Sequence, residues 1–369
     1  MRTPVAILGA TGMVGQVFVE RLAAHPWFEP TELVASPELA GRSYGEVVAW
    51  RRPTPLDPHL AAVPLVAAPG RLASPLAFSA LGSDIAAQLE QRYADAGAWV
   101  FSNAATHRMA ADVPLVVPEV NAEHLALALS QDRPGAIVTN PNCSTIGLTL
   151  ALAPLLRSFG LCRVSLVSLQ ARSGAGLKNG RLMELEDDVS CLIQGEEEKL
   201  VEEPAKILGR LVDAPRPAIQ ALDLPVAATC TRVPVTDGHT LCVSVELERP
   251  ATADELFAAW SSFNPRAQAL GLPTAPLPPI HVLDGPEGPR PSRHLDLGAG
   301  MAIAIGRLRP DPVIGTSPEP RAEAGAARRG WSFITLSHNL VRGAAGGSIL
   351  NAELARATGL FAGTPAAPR

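Results

Sequence analysis

Apolar and polar positions alternate along this chain in two rhythms, and the change from one to the other divides it. Residues 4–9 (PVAILG) form a short apolar run, and GATGMVGQVFVERLAAH then spaces its apolar positions three and four apart as far as Pro26. That is the pattern of a buried strand, a turn and an amphipathic helix. Further strands are predicted at 32–36, 76–81, 98–101, 115–117 and 136–139, separated by helical or turn-rich stretches, which together make a doubly wound, mostly parallel sheet. At 142–157 (NCSTIGLTLALAPLLR) a polar cap precedes an apolar helix that starts at or just after Cys143. Beyond it the texture is that of a second, α+β domain, with strands at 163–170, 226–235, 240–248 and 300–307 and helices around 196–211 and 252–262. The stretches 273–293 and 308–329 read as long surface loops, 339–358 as a glycine-softened helix start, and GTPAAPR at the end as a frayed tail.

Gly9-Ala10-Thr11-Gly12-Met13-Val14-Gly15 has the GxxGxxG spacing between a strand and a helix. Small residues there let backbone approach a pyrophosphate seated on the helix N-terminus. A tight structural turn without a ligand would use the same glycines, but the strand-turn-helix context favours the dinucleotide. An NAD site would carry an acid about 20 residues later, on the ribose hydroxyls. Here the second strand ends in Ala35-Ser36, leaving room for a 2′-phosphate that Ser36, Arg42 and Ser43 are placed to contact, with Glu38 close by. NADP is therefore expected in preference to NAD.

Asn140-Pro141-Asn142-Cys143-Ser144-Thr145 sets a thiol at a helix start, where unpaired N–H groups and the helix dipole favour a thiolate and a developing oxyanion. Cys162, Cys191, Cys230 and Cys242 read instead as small buried hydrophobes. Arg232 at a strand end and His239 after an Asp-Gly turn can project into one cleft, a guanidinium for a carboxylate and an imidazole for protons. His25, His59, His124 and His281 are taken as surface turn histidines. Glu196-Glu197-Glu198-Lys199 fits a solvated helix start equally well, but Lys199 is one of only three lysines against 28 arginines, which points to a specific anion contact. Arg108 follows a predicted parallel strand, on the ligand side of such sheets.

A length of 369 residues favours two domains. With 47% hydrophobic and 18% charged residues the chain can bury large cores, and its charge of -5 comes from acids and bases spread throughout, so neither nucleic acid nor membrane is an expected partner. The N-terminus carries no basic start followed by an apolar signal stretch, which predicts a cytoplasmic protein with reduced thiols. No metal constellation is visible.

Taken together, LGATGMVGQ, NPNCSTIGL, GEEEKLVEEPAKILG, ATCTRVPVTDGHT and SHNLVRGAAGGSILNAE resemble the aspartate-semialdehyde dehydrogenase family, in particular its archaeal and fungal branch, over essentially the whole chain. The resemblance implies a Rossmann-like NADP domain in 1–142 completed by 338–369, and a catalytic and dimerisation domain in 143–337, assembled as a homodimer or homotetramer. It implies Cys143 as nucleophile, His239 as acid/base catalyst and Gln170 as the residue orienting substrate at the thiol. Arg232 and Glu196 would bind the amino-acid end of the substrate, and Lys199, Arg108 and Asn142 its phosphate or inorganic phosphate. The cofactor would lie on Gly9, Thr11, Gly12, Met13 and Val14, with Ser173, Gly174 and Asn339 at its nicotinamide half. Two stretches depart from the family pattern: Leu177-Lys178-Asn179-Gly180-Arg181 stands where an aromatic, a proline and a glycine are usual, and 308–329 is longer. Competing readings are a reductase forming the same thioester from a dicarboxylic acyl-CoA such as malonyl-CoA, a specialised-pathway paralogue, and a non-catalytic NADP(H) sensor.

Overall fold

A computed structural model describes residues 2–177, 182–214, 216–315 and 325–360. Strands β1 (Thr3–Leu8), β2 (Phe28–Ala35), β3 (Leu65–Ala67), β4 (Leu76–Ser79), β5 (Trp99–Ser102) and β6 (Ala136–Thr139) form one sheet in the order β3-β2-β1-β4-β5-β6. Every pairing in it is parallel. These strands are apolar at successive positions because both faces are covered. The helices Met13–Leu22 and Gly346–Ala357 pack Val17, Phe18, Ile349 and Leu350 with Val5 and Ile7 on one face. The helix Ser83–Asp95 packs Leu89 and Tyr93 with Ala6 and Leu8 on the other. The doubly wound sheet is thus completed by a C-terminal helix, and its strand order reverses between β1 and β4, where such sheets hold ligands.

In the second sheet, β7 (Leu161–Gln170), β10 (Val226–Arg232), β11 (His239–Ala251), β12 (Ile280–Val282), β13 (Ile303–Pro310) and β14 (Arg328–Ser337) run in the order β10-β7-β11-β14-β13-β12 with mixed direction. A separate hairpin pairs β8 (Arg210–Ala214) with β9 (Arg216–Gln220). The helix Cys143–Phe159 is apolar nearly all round and lies buried against the sheet's inner face, with Ile146, Leu148 and Leu155 beside Leu166, Val243 and Phe333. On the outer face of β7, Arg163, Ser165 and Val167 are exposed.

Several predicted elements differ. The run 115–117 is not a strand; Leu115 makes a single bridge to Thr139, because Pro114 and Pro118 confine it. The supposed loop at 273–293 contains β12, and 308–329 is framed by β13 and by the unpredicted β14. Residues 178–181, 316–324 and the GTPAAPR tail lie outside the described residues.

The expected helix over 339–358 opens as a widened π turn at Val341–Ala345 before the α-helix Gly346–Ala357. Arg342 in that turn donates to Glu119 at 2.6 Å, and neither side chain reaches solvent. Removing one partner leaves a buried charge unmatched. Arg342→Met is therefore expected to cost about 3–5 kcal/mol of stability, read from the denaturant midpoint; a shift worth under about 1 kcal/mol would show the pair to be dispensable.

Candidate active site

From β6 the chain passes through Asn140-Pro141-Asn142 into the long apolar helix, and Asn142 caps it. Its Oδ1 accepts the N–H groups of Ser144 at 2.9 Å and Thr145 at 3.4 Å. Two of the first-turn amides expected to serve an oxyanion are therefore taken by the cap, which leaves the N–H of Cys143 itself. His239, at the start of β11, brings Nε2 to 3.1 Å from Cys143 Sγ. Its Nδ1 accepts the Ala171 N–H at 3.1 Å, so the neutral ring carries its proton on Nε2, facing the sulfur.

The surroundings do not favour a resting thiolate, contrary to expectation. Burial, reinforced by Glu196, pushes the Cys143 thiol up to about 12, against the downward pull of Arg108, Arg232 and Lys199. Burial and then Arg232 push His239 down to about 3. The resting pair is a thiol beside a neutral imidazole.

Around this pair the helix Glu196–Ile207 and the end of β7 place a charged network. Glu196 accepts from Lys199 Nζ at 2.7 Å, from Asn142 Nδ2 at 2.8 Å and from Gln170 Nε2 at 3.2 Å. Burial raises its pKa, but these bonds outweigh burial and hold the carboxyl below its ordinary range. Arg232 donates to Gln170 Oε1 at 3.3 Å and to the Ala171 carbonyl at 2.9 Å. Gly174 lies so close that a Cβ there would stand 2.6 Å from Arg232 Nη1 and 2.9 Å from the His239 ring. Arg108 contacts Glu203 Oε1 at 2.9 Å and the Asn103 carbonyl at 2.7 Å.

A cleft of about 280 Å³ is lined by Cys143, Asn142, Arg108, Glu196, Lys199, Ser173, Gly174, Met13, Val14 and Asn339. Gln170, Arg232 and His239 are buried behind it. Asn339 holds its rim, accepting the Gly238 N–H and donating to Ser173 Oγ, both at 2.8 Å. Across Leu81 it adjoins a larger cleft of about 590 Å³ over the switch point, walled by Gly9, Thr11, Ser36, Ala68, Gln88 and Arg92 among others. The glycine turn is needed there. Gly9 has φ +75°, and a Cβ on Gly15 would lie 2.2 Å from the Gly9 carbonyl; Gly12 is the helix N-cap.

Arg42 and Ser43 do not line that cleft: Arg42 is exposed, and Ser43 bridges to Pro64. Arg92 lies in its wall, a position that one sequence offers no way to distinguish from other helix-surface arginines. Ser36 is in place, although Glu38 hydrogen-bonds it. His25 and His124 are buried rather than surface residues, bonded to Glu353 at 2.7 Å and Asn121 at 2.8 Å, and Cys191 is exposed rather than buried. Glu203 and Lys206 were not anticipated. Glu196, Lys199, Glu203 and Lys206 lie three, four and three residues apart, a spacing that puts all four on one helical face. Among the described residues no cluster suited to a metal occurs, and no helix is long and apolar enough to cross a membrane.

Residues 4–128 match the family model of the semialdehyde dehydrogenase NAD-binding domain, and residues 152–342 that of the semialdehyde dehydrogenase dimerisation domain. The aspartate-semialdehyde dehydrogenase of Archaeoglobus fulgidus is 45% identical over 361 residues, 96% of this chain and 98% of that protein. The enzyme of that name from Cryptococcus neoformans is 40% identical over 375 residues, covering 97% of this chain and 98% of its own. Among solved structures, the aspartate semialdehyde dehydrogenase of Candida albicans with NADP superposes with a TM-score of 0.85 at 35% identity, over 98% of this chain and 100% of that one. With a parallel dinucleotide-type sheet, a mixed catalytic sheet and a cysteine–histidine pair between them, the chain belongs to the aspartate-semialdehyde dehydrogenase family.

Proposed function

We propose that this protein is an aspartate-semialdehyde dehydrogenase. It would catalyse the reversible, NADPH-dependent conversion of L-aspartyl-4-phosphate to L-aspartate 4-semialdehyde and phosphate. The observation that carries the reading is Cys143 Sγ, 3.1 Å from His239 Nε2, on a cleft whose other walls hold Arg108 and Lys199. Arg232 and Glu196 would hold the amino-acid end of the substrate, Gln170 would set it at the thiol, and Lys199, Arg108 and Asn142 would hold the phosphoryl group. Sγ attacks the acyl carbon, the C–O bond to phosphate breaks, and the departing phosphate takes the thiol proton between Arg108 and Lys199. When bound, NADPH supplies the hydride that reduces the resulting Cys143 thioester. The Cys143 N–H would face the oxyanion, and as sulfur departs His239 Nε2–H would support the negative charge it gains until a proton from solvent restores the thiol.

The residues suit that cofactor. The turn at Gly9 to Gly15 closes tightly enough for backbone to reach a pyrophosphate, and Ser173, Gly174, Met13 and Val14 flank the thiol side of the cleft. No carboxylate ends β2. Glu38, fully exposed, engages the Ser36 hydroxyl that a 2′-phosphate would use. Glu38→Gln is therefore expected to tighten NADPH binding about threefold to tenfold while leaving NADH unchanged, measured by cofactor fluorescence; weaker NADPH binding would place the 2′-phosphate elsewhere.

The dimerisation-domain match supports oligomers, and the exposed outer face of β7 is a surface a second copy would cover, in a homodimer or homotetramer. We place the enzyme in the cytoplasm. Turnover of NADP with L-aspartate semialdehyde that requires inorganic phosphate tests the reading. Turnover with coenzyme A in place of phosphate would move the protein to the acyl-CoA reductases, and none with either would leave a non-catalytic sensor.

A further inference from the structure

Two buried side chains on the helix Glu196–Ile207 do not themselves line the catalytic cleft, yet they hold residues on its phosphate side. Glu203, 2% exposed, divides its carboxylate: Oε1 meets Arg108 Nη1 at 2.9 Å, and Oε2 accepts the backbone N–H of Asn142 at 2.7 Å. One carboxylate thus ties the Arg108 loop to the residue that caps the Cys143 helix. One turn further on, Lys206, 7% exposed, donates to the carbonyls of Arg108 at 2.7 Å, Ala110 at 2.7 Å and Val113 at 2.8 Å. All three ammonium protons are used on the loop that carries Arg108.

Neither bond set is needed to build the helix, whose apolar contacts come from Leu200 and Ile207. Burying a carboxylate and an ammonium is costly unless their bonds are satisfied, and here every bond they make goes to the Arg108 loop or to Asn142. We infer that Glu203 and Lys206 are positioning residues, a two-point clamp that sets the Arg108 guanidinium at a fixed distance from the Cys143 helix and so shapes the phosphate site. The clamp rests on the proposed phosphate-dependent reaction and adds to it a determinant that does not touch substrate. Its loss raises the phosphate concentration required and leaves the chemistry at sulfur largely intact.

The test uses the full chain, phosphate-dependent reduction of NADP, and the variants Glu203→Gln, Lys206→Met, Arg108→Met and Glu203→Gln/Arg108→Met. Each clamp variant is expected to raise KM for phosphate roughly 10–100-fold with kcat at saturating phosphate within about threefold of wild type. Because Glu203 acts chiefly through Arg108, Glu203→Gln is expected to add far less to the KM of Arg108→Met than it does to that of the wild type. An unchanged KM, a fall in kcat alone, or additive effects in the double variant would each overturn the clamp. If Glu203→Gln fails to fold, Lys206→Met with and without Arg108→Met decides by the same criterion. A wild-type protein that turns over without phosphate would instead remove the reaction on which the clamp rests.

Discussion

Cys143→Ser is expected to lower kcat/KM for phosphate-dependent oxidation of L-aspartate semialdehyde by at least about 10⁴-fold, with the unfolding midpoint unchanged. The substitution alters one atom at a half-buried position, so packing survives. What is lost is the ability to attack as sulfur and to leave as thiolate. A hydroxyl held by the same neutral imidazole has neither, and an ester is a poorer hydride acceptor than a thioester. With the thiol pushed up to about 12 in the free enzyme, the sulfur depends on bound substrate for activation. Activity retained within about a hundredfold would sink Cys143 as the nucleophile; parallel melting curves separate that result from misfolding.

His239→Ala is expected to cost about 10²–10⁴-fold in kcat/KM, and His239→Gln markedly less. The reason is directional. Nδ1 takes the Ala171 N–H, which commits the neutral ring to donating from Nε2; glutamine keeps an N–H donor, whereas alanine keeps nothing. If His239 acted first as a base, glutamine and alanine would be equally poor. The pH profile supplies a second check. Burial holds the ring down to about 3, so lowering the pH from 8 to 5 leaves it neutral. The acid limb should show no inflection near the ordinary imidazole value of about 6.5. An inflection there that disappears in His239→Gln would show that a proton is taken up by this ring.

How much of this could be read from the residues depended on how local the signal was. The glycine turn before the first helix, the Asn142 cap and Cys143 are each set by a few consecutive residues, and the strand-helix alternation that carries the first sheet is likewise local. β14 escaped notice because its alternating WSFITLS follows a stretch rich in arginine, alanine and glycine and resembles the end of a loop. His25 and His124 read as surface residues because distant partners, Glu353 for one and the Gly209 carbonyl for the other, become visible only once the chain has folded. Distance along the chain from the glycine turn points to Ser36, Arg42 and Ser43, but not to Arg92, which reaches the same cleft wall from the helix Ser83–Asp95. Glu203 and Lys206 were legible as a helical face, but nothing in one sequence says which loop that face grips.

The helix Gly346–Ala357 has a consequence for how the protein is made. Val5, Ile7 and Phe18 belong to a core that Ile349, Leu350 and Leu354 complete. A growing chain therefore releases its first sheet from the ribosome long before the helix that covers one face exists. The N-terminal unit cannot mature as a finished domain before Gly346–Ala357 has been made, and its apolar face must wait, shielded or at risk of association, until that helix emerges.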